Sequence, residues 1–140
     1  MTSDLAQQLI EREEGRERCA YQDSRKLWTI GIGALVDPSI PGAGLCDEAI
    51  DAQFAHDSAR ARKDAAELPG FQRCNEVRQA VLVSMCFQLG SLQGWPKFKA
   101  ALALGDYEMA AREGLDSLWA KQTPKRAERQ MQMLRTGEWS

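Results

Sequence analysis

Glu14-Gly-Arg-Glu-Arg-Cys-Ala-Tyr-Gln-Asp23-Ser-Arg-Lys-Leu-Trp-Thr29-Ile-Gly-Ile-Gly33 is the stretch on which the reading of this chain turns. It begins with a carboxylate before a glycine where a helical pattern stops, passes a second carboxylate, and ends on a hydroxyl inside an apolar run of strand character. Eight residues separate Glu14 from Asp23 and five separate Asp23 from Thr29. One acid, one anion and one hydroxyl can therefore meet where a helix end adjoins a hairpin. Cleaving a glycosidic bond needs such a set: a protonated carboxyl for the leaving oxygen, an ionised one to activate water, and a group to hold that water.

Upstream of the stretch, Ser3 is placed to cap a first helix, with Leu5, Leu9 and Ile10 as its apolar stripe and Gly15 as its stop. Glu14 then falls in the last turn. The negative end of the helix dipole disfavours a second negative charge there, which suits a carboxyl that must carry a proton. Periodicity alone does not choose between Glu14 and its neighbour Glu13. Within the stretch, Tyr21 and Leu27-Trp28-Thr29-Ile30-Gly31-Ile32 are rich in strand formers around a polar turn at Asp23-Ser24-Arg25-Lys26, which predicts a hairpin. Gly31 and Gly33 suit tight strand packing or close approach of another group to the backbone, and the pattern does not say which glycine does which.

Downstream, two prolines and two glycines mark residues 36–44 as a loop. A long helix is predicted from Asp47 to about Glu67, with Ala49, Ile50, Phe54, Ala55, Ala59 and Ala65 on its drier side and His56 on its surface. Twenty residues at 1.5 Å each would span about 30 Å, enough to join a small β-containing lobe to a helical one. Asn75 caps a helix running to Gly90 that is apolar nearly all round and so must be central. Short helices are expected at about 96–104, 106–114, 115–121 and 124–134, with Phe98, Leu102, Met85 and Trp119 in the core.

Composition fits one soluble domain: 140 residues, 44% hydrophobic and 27% charged, without repeats or low-complexity tracts. The net charge of −2 hides an asymmetry. Residues 1–67 carry eight basic and thirteen acidic side chains, against ten and seven in residues 68–140. Lys121, Lys125, Arg126, Arg129 and Arg135 form a strip that could face an anionic polymer, or simply a solvated helix face. The chain is not basic enough to suggest nucleic acid. Cys19, Cys46, Cys74 and Cys86 are widely spaced, without Cys-x-x-Cys and with one histidine in the chain, which argues against a metal site, and they read as reduced because disulfides need an oxidising compartment that no signal peptide here points to. The N-terminus lacks signal-peptide character and no apolar run reaches membrane length, so the protein is expected to be made in a cytoplasm without inserting into a membrane.

Glu14-Gly15, Asp23 and Trp28-Thr29-Ile30-Gly31-Ile32-Gly33 resemble the catalytic segment of the phage lysozymes of glycoside hydrolase family 24. Asn75-Glu-Val-Arg-Gln-Ala, Met85-Cys-Phe-Gln-Leu-Gly90, Trp119-Ala-Lys-Gln-Thr-Pro-Lys-Arg-Ala-Glu-Arg129 and Arg135-Thr-Gly-Glu-Trp139 resemble that family's C-terminal lobe in order and spacing. The resemblance implies an α+β, mainly α, two-lobe fold in one domain: an N-terminal helix at 1–14, a small β-hairpin lobe at about 15–46, a connecting helix at about 47–67 and a helical lobe at about 68–140. The cleft between the lobes would take peptidoglycan glycan strands and cut the β-1,4 bond between N-acetylmuramic acid and N-acetylglucosamine with inversion.

By the same resemblance Glu14 is the general acid in preference to Glu13, Asp23 the partner of the water, and Thr29 its holder. Arg126 pairs with the glutamate across the cleft, Phe87, Gln88 and Leu35 are cleft positions, and Arg129 is a lesser candidate. No cofactor or metal is implied. A monomer is implied, made in the host bacterial cytoplasm and acting in the periplasm after a holin lets it out. Three departures stand out: Ala34 where the family's type member has histidine, a shortened segment before the long helix that suggests loss of a strand and a helix, and a slightly acidic charge. The last two leave a different class of function open, a lysozyme fold that holds glycan or protein without cutting. A lytic transglycosylase would need neither Asp23 nor Thr29.

Overall fold

The computed structural model describes residues 4–23, 25–26, 28–35 and 47–140, of which 18–21, 28, 30, 34 and 35 are described by their backbone alone. The order is α1 (Leu5–Glu14), β1 (Glu17–Gln22), β2 (Trp28–Gly31), β3 (Ala34–Leu35), α2 (Asp47–Ala66), α3 (Glu76–Leu89), α4 (Pro96–Leu104), α5 (Tyr107–Leu115), α6 (Leu118–Gln122) and α7 (Pro124–Thr136), with a 3-10 turn at Phe71–Arg73. The fold is mainly helical. The loop expected at 36–44, and most of the shortened segment, lie outside the described residues.

The cap of helix α1 falls one residue after the expected Ser3, which lies outside the described residues. Asp4 is the cap, its Oδ1 accepting the N–H of Gln7 at 2.9 Å. A carboxylate serves here as well as a hydroxyl, because the orphan first-turn N–H groups attract negative charge. Leu9 and Ile10 are fully buried, and Gly15 ends the helix with φ +74. That backbone conformation costs an L side chain energy and glycine almost none.

The strands form one antiparallel sheet in the order β1-β2-β3. Thr29 lies opposite Tyr21 on one side and Leu35 on the other, and the β1 ladder is irregular between Glu17 and Tyr21.

The drier face predicted for α2 is partly wrong. Ile50, Ser58, Ala61 and Ala65 are buried, whereas Ala55 and Ala59 are exposed. Alanine is small and a strong helix former on either side, so it does not mark a buried face as Ile50 does. Helix α3 is the centre, packed against α1, α2 and α7. Its residues Ala80 to Cys86 are all buried. Asn75 caps it, accepting the N–H of Arg78 at 2.9 Å. Helix α6 starts at Leu118 rather than 115, because α5 runs on to Leu115 and Ser117 caps the next helix. Helix α7 runs two residues past the expected end, to Thr136. Phe98, Leu102, Met85 and Trp119 are buried as expected, and Trp95 packs edge-on to Phe98 at 5.8 Å between centroids.

Candidate active site

The end of α1 is where the chain's opposed charges meet. Because Leu9 and Ile10 hold one face of α1 in the core, its last turn presents Glu13 and Glu14 to α7. Oε1 of Glu14 accepts a hydrogen bond from Nη1 of Arg126 at 2.7 Å. The two side chains are 18% and 9% exposed, so little water screens the pair. Glu13 makes a parallel pair with Arg129, through both Nε and Nη2. The Glu13 side chain is 2% exposed while that of Arg129 is 48% exposed. Successive residues of α1 thus meet residues three apart on α7, as helical spacing allows.

Two of the five cations in the expected C-terminal strip are therefore spent on α1. Arg126 is buried, Arg129 is tied to Glu13, and Arg135 lies 3.8 Å from Glu108. The strip is not one solvated basic face.

Gly33 sits against the outer side of Glu14. A Cβ there would lie 2.8 Å from Glu14 Oε2, and the residue's φ is +72. The close-approach reading therefore belongs to Gly33, and what approaches is the carboxylate itself. Nothing in the local pattern shows this, because the approaching group comes from another element.

Asp23 closes β1. Its Oδ1 accepts the backbone N–H of Arg25 at 2.8 Å, and the Arg25 guanidinium lies 3.7 Å from Oδ2. Its backbone carbonyl accepts the N–H of Lys26 at 2.9 Å, closing a turn in which Lys26 adopts φ +62. Thr29 is 5% exposed, and its strand partner Tyr21 is two residues from Asp23.

A cleft of about 740 Å³ gathers these groups. Glu14, Asp23 and Thr29 line it together with Phe87, Gln88 and Arg126 from α3 and α7. Six of the seven residues singled out from sequence thus share one cavity, and the side chain of the seventh, Leu35, lies outside what is described. Glu13, Gly33 and Arg129 line it too. Phe87 is steadied by an edge-on contact with Phe54 at 5.9 Å, and Gln88 by the indole N–H of Trp119, which donates to its Oε1 at 2.8 Å. Trp119 is thus a core residue that braces the cleft wall. Among the described residues no group of three or more His, Cys, Asp and Glu is arranged to hold a metal ion.

The phage lysozyme family model matches residues 11–136, a span that contains every one of these cleft residues. The chain belongs to the phage lysozyme family. Among relatives, it is similar to the pre-baseplate central spike protein Gp5 of Enterobacteria phage T4, with 31% identity over 93% of this chain. The chain spans only 27% of that relative's length. As a member of the phage lysozyme family it keeps a mainly helical lysozyme-like fold, and among the described residues no helix is long and apolar enough to cross a membrane.

Proposed function

We propose that this chain is a muramidase of the two-lobe lysozyme kind, hydrolysing the β-1,4 bond between N-acetylmuramic acid and N-acetylglucosamine in peptidoglycan. The strands between 17 and 35 belong to the small lobe at about 15–46, α2 connects it to the helical lobe at about 68–140, and the whole is one domain. The observation that carries the reading is that Glu14, backed by Arg126 at 2.7 Å, shares one cleft with Asp23 and Thr29.

Glu14 is the general acid. It gives its proton to the glycosidic oxygen as the bond to the anomeric carbon breaks, and it becomes a carboxylate as it does so. Arg126 answers that new charge from a site with little screening, so the ion pair gains most as the proton leaves. Asp23 takes a proton from a water molecule, and Thr29 holds that water against the face of the sugar opposite the leaving oxygen. The N–H of Arg25 sets the orientation of the Asp23 carboxylate. Attack from that face inverts the anomeric carbon and needs no covalent intermediate. Leu35, Phe87 and Gln88 flank the sugar. The enzyme acts as a monomer on glycan strands in the periplasm, after synthesis in the bacterial cytoplasm and release through a holin.

Glu14→Gln is the test. The unmodified chain should clear the turbidity of outer-membrane-permeabilised Gram-negative cells, with new reducing ends and the α-anomer as first product. The variant should be at least about 100-fold slower, the scale on which a positioned acid contributes. Equal clearing by both removes Glu14 from the chemistry, and an anhydro product in place of reducing ends means transglycosylation. A second reading, a domain that holds peptidoglycan or a partner protein without cutting, draws support from the relative's description as a spike protein. It predicts an inert unmodified chain that still sediments with peptidoglycan.

A further inference from the structure

Two polar side chains sit where the pattern around them calls for apolar ones. Ser84 interrupts the buried run of α3, and Gln130 lies among Ala127, Met131 and Leu134 on the inner face of α7. Both are 0% exposed, and neither lines the cleft. A hydroxyl and a primary amide in such a place cost free energy unless paired.

Their pairing converges on a single atom. Ser84 Oγ accepts from Gln130 Nε2 at 2.9 Å and from Arg126 Nη2 at 3.4 Å. The other arm of the same guanidinium, Nη1, donates to Glu14 Oε1 at 2.7 Å. Arg126 is thus held at two corners of a planar group, by a carboxylate from α1 and a hydroxyl from α3. The hydroxyl is anchored in turn by an amide one helical turn along α7. As a way of filling space the arrangement is poor, since among the described residues Arg126 Nε and Gln130 Oε1 find no partner. Apolar side chains of similar volume would leave nothing unmet there. What the network supplies is orientation.

We infer that Ser84 and Gln130 are positioning residues that fix the plane of the Arg126 guanidinium so that Nη1 points at Glu14. Its catalytic consequence rests on the muramidase reading; its geometry does not. With the hydroxyl removed, Nη2 loses its anchor, the guanidinium turns about its own axis, and Glu14 loses a fixed counter-charge at the moment its proton departs.

Two measurements test this. In the unmodified protein, side-chain nitrogen spectra should show separate, slowly exchanging Nη signals for Arg126, while the exposed Arg25 gives one averaged signal. In Ser84→Ala the Arg126 signals should coalesce. Its kcat on soluble uncrosslinked glycan should fall about tenfold at little changed KM, and Ser84→Thr should restore both readings. Averaged Arg126 signals in the unmodified protein overturn the inference. So does a folded Ser84→Ala that keeps separate signals and full kcat. Should Ser84→Ala fail to fold, Gln130→Met is read in the same way. An unmodified chain that cuts nothing defeats the muramidase reading alone, and the nitrogen spectra still decide the positioning.

Discussion

Glu14 and Arg126 lie 112 positions apart in the chain and 2.7 Å apart in space, each mostly withdrawn from water. An ion pair this sheltered behaves differently from a surface one: removing either partner leaves the other desolvated and uncompensated. Arg126→Ala is expected to lower stability by about 3 kcal/mol by chemical denaturation, and to slow wall clearing well beyond what the unfolded fraction explains. Arg126→Lys should recover only part of the activity, because a lysine cannot hold the Glu14 and Ser84 contacts with one planar group. Glu13→Gln is the companion variant. It breaks the neighbouring pair with Arg129 and should leave most of the clearing activity, since the proposed proton donor is Glu14.

Gly33→Ala should cost more than a left-handed backbone explains. Gly90 has a similar φ of +76, but a Cβ there meets nothing within 4 Å. Gly90→Ala is therefore the control for a positive-φ backbone cost of about 1–3 kcal/mol. The Gly33→Ala methyl would also press on Glu14 Oε2. It should reduce turnover at least about tenfold in protein shown to be folded by its far-UV dichroism, with Gly90→Ala active in proportion to its folded fraction.

Asp4 gives the amino-terminal helix an acid-sensitive start. Burial raises its pKa, but hydrogen bonds from the Gln7 N–H and Arg62, with the Arg62 charge, outweigh it and hold the carboxyl below the ordinary aspartate range. A depressed folded-state value means the contribution is present above the unfolded value and is lost as pH falls through the folded one. Asp4→Asn, which keeps the cap but not the charge, should flatten the stability curve below pH 3.8. Near pH 7 it should cost under about 1 kcal/mol, because the Arg62 pair is largely solvent-exposed. Urea melts across pH 2 to 7 would measure both; an unchanged acid limb would remove Asp4 as its source.

Cys86 is a structural thiol. Burial pushes its pKa up to about 12, so almost no thiolate exists in the folded protein at neutral pH. Alkylation followed by peptide mass mapping should find Cys86 unmodified in native buffer at pH 8 and modified in denaturant. Modification without denaturant would mean that α3 opens far more readily than its burial implies.

Much of this was legible in the chain because the signals were local. Gly15, Gly90 and Pro124 each fix an element boundary through their own backbone chemistry and Asn75 through its capping side chain, and the structure puts the boundaries there. The apolar run from Val77 to Leu89 likewise could only be central. Where the decisive partner came from another element, sequence fell short. Ala55 and Ala59 looked dry by spacing, but only the packing of α2 on α3 decides which face is covered. The basic strip looked like a surface because the acids that claim Arg126 and Arg129 are more than a hundred residues earlier. Ser84 is hidden within a run that reads as apolar throughout, and its meaning depends on Gln130, forty-six positions on. The family resemblance chose Glu14 over Glu13 where periodicity could not.

The pairing of the first helix with the last has a consequence for timing. During synthesis Glu14 emerges 112 positions ahead of Arg126, and that cation arrives only with α7. A nascent chain stalled before Pro124 would carry Glu14 without its counter-charge. Under the proposed function, competence to cut is therefore acquired only once the last helix has been made and docked.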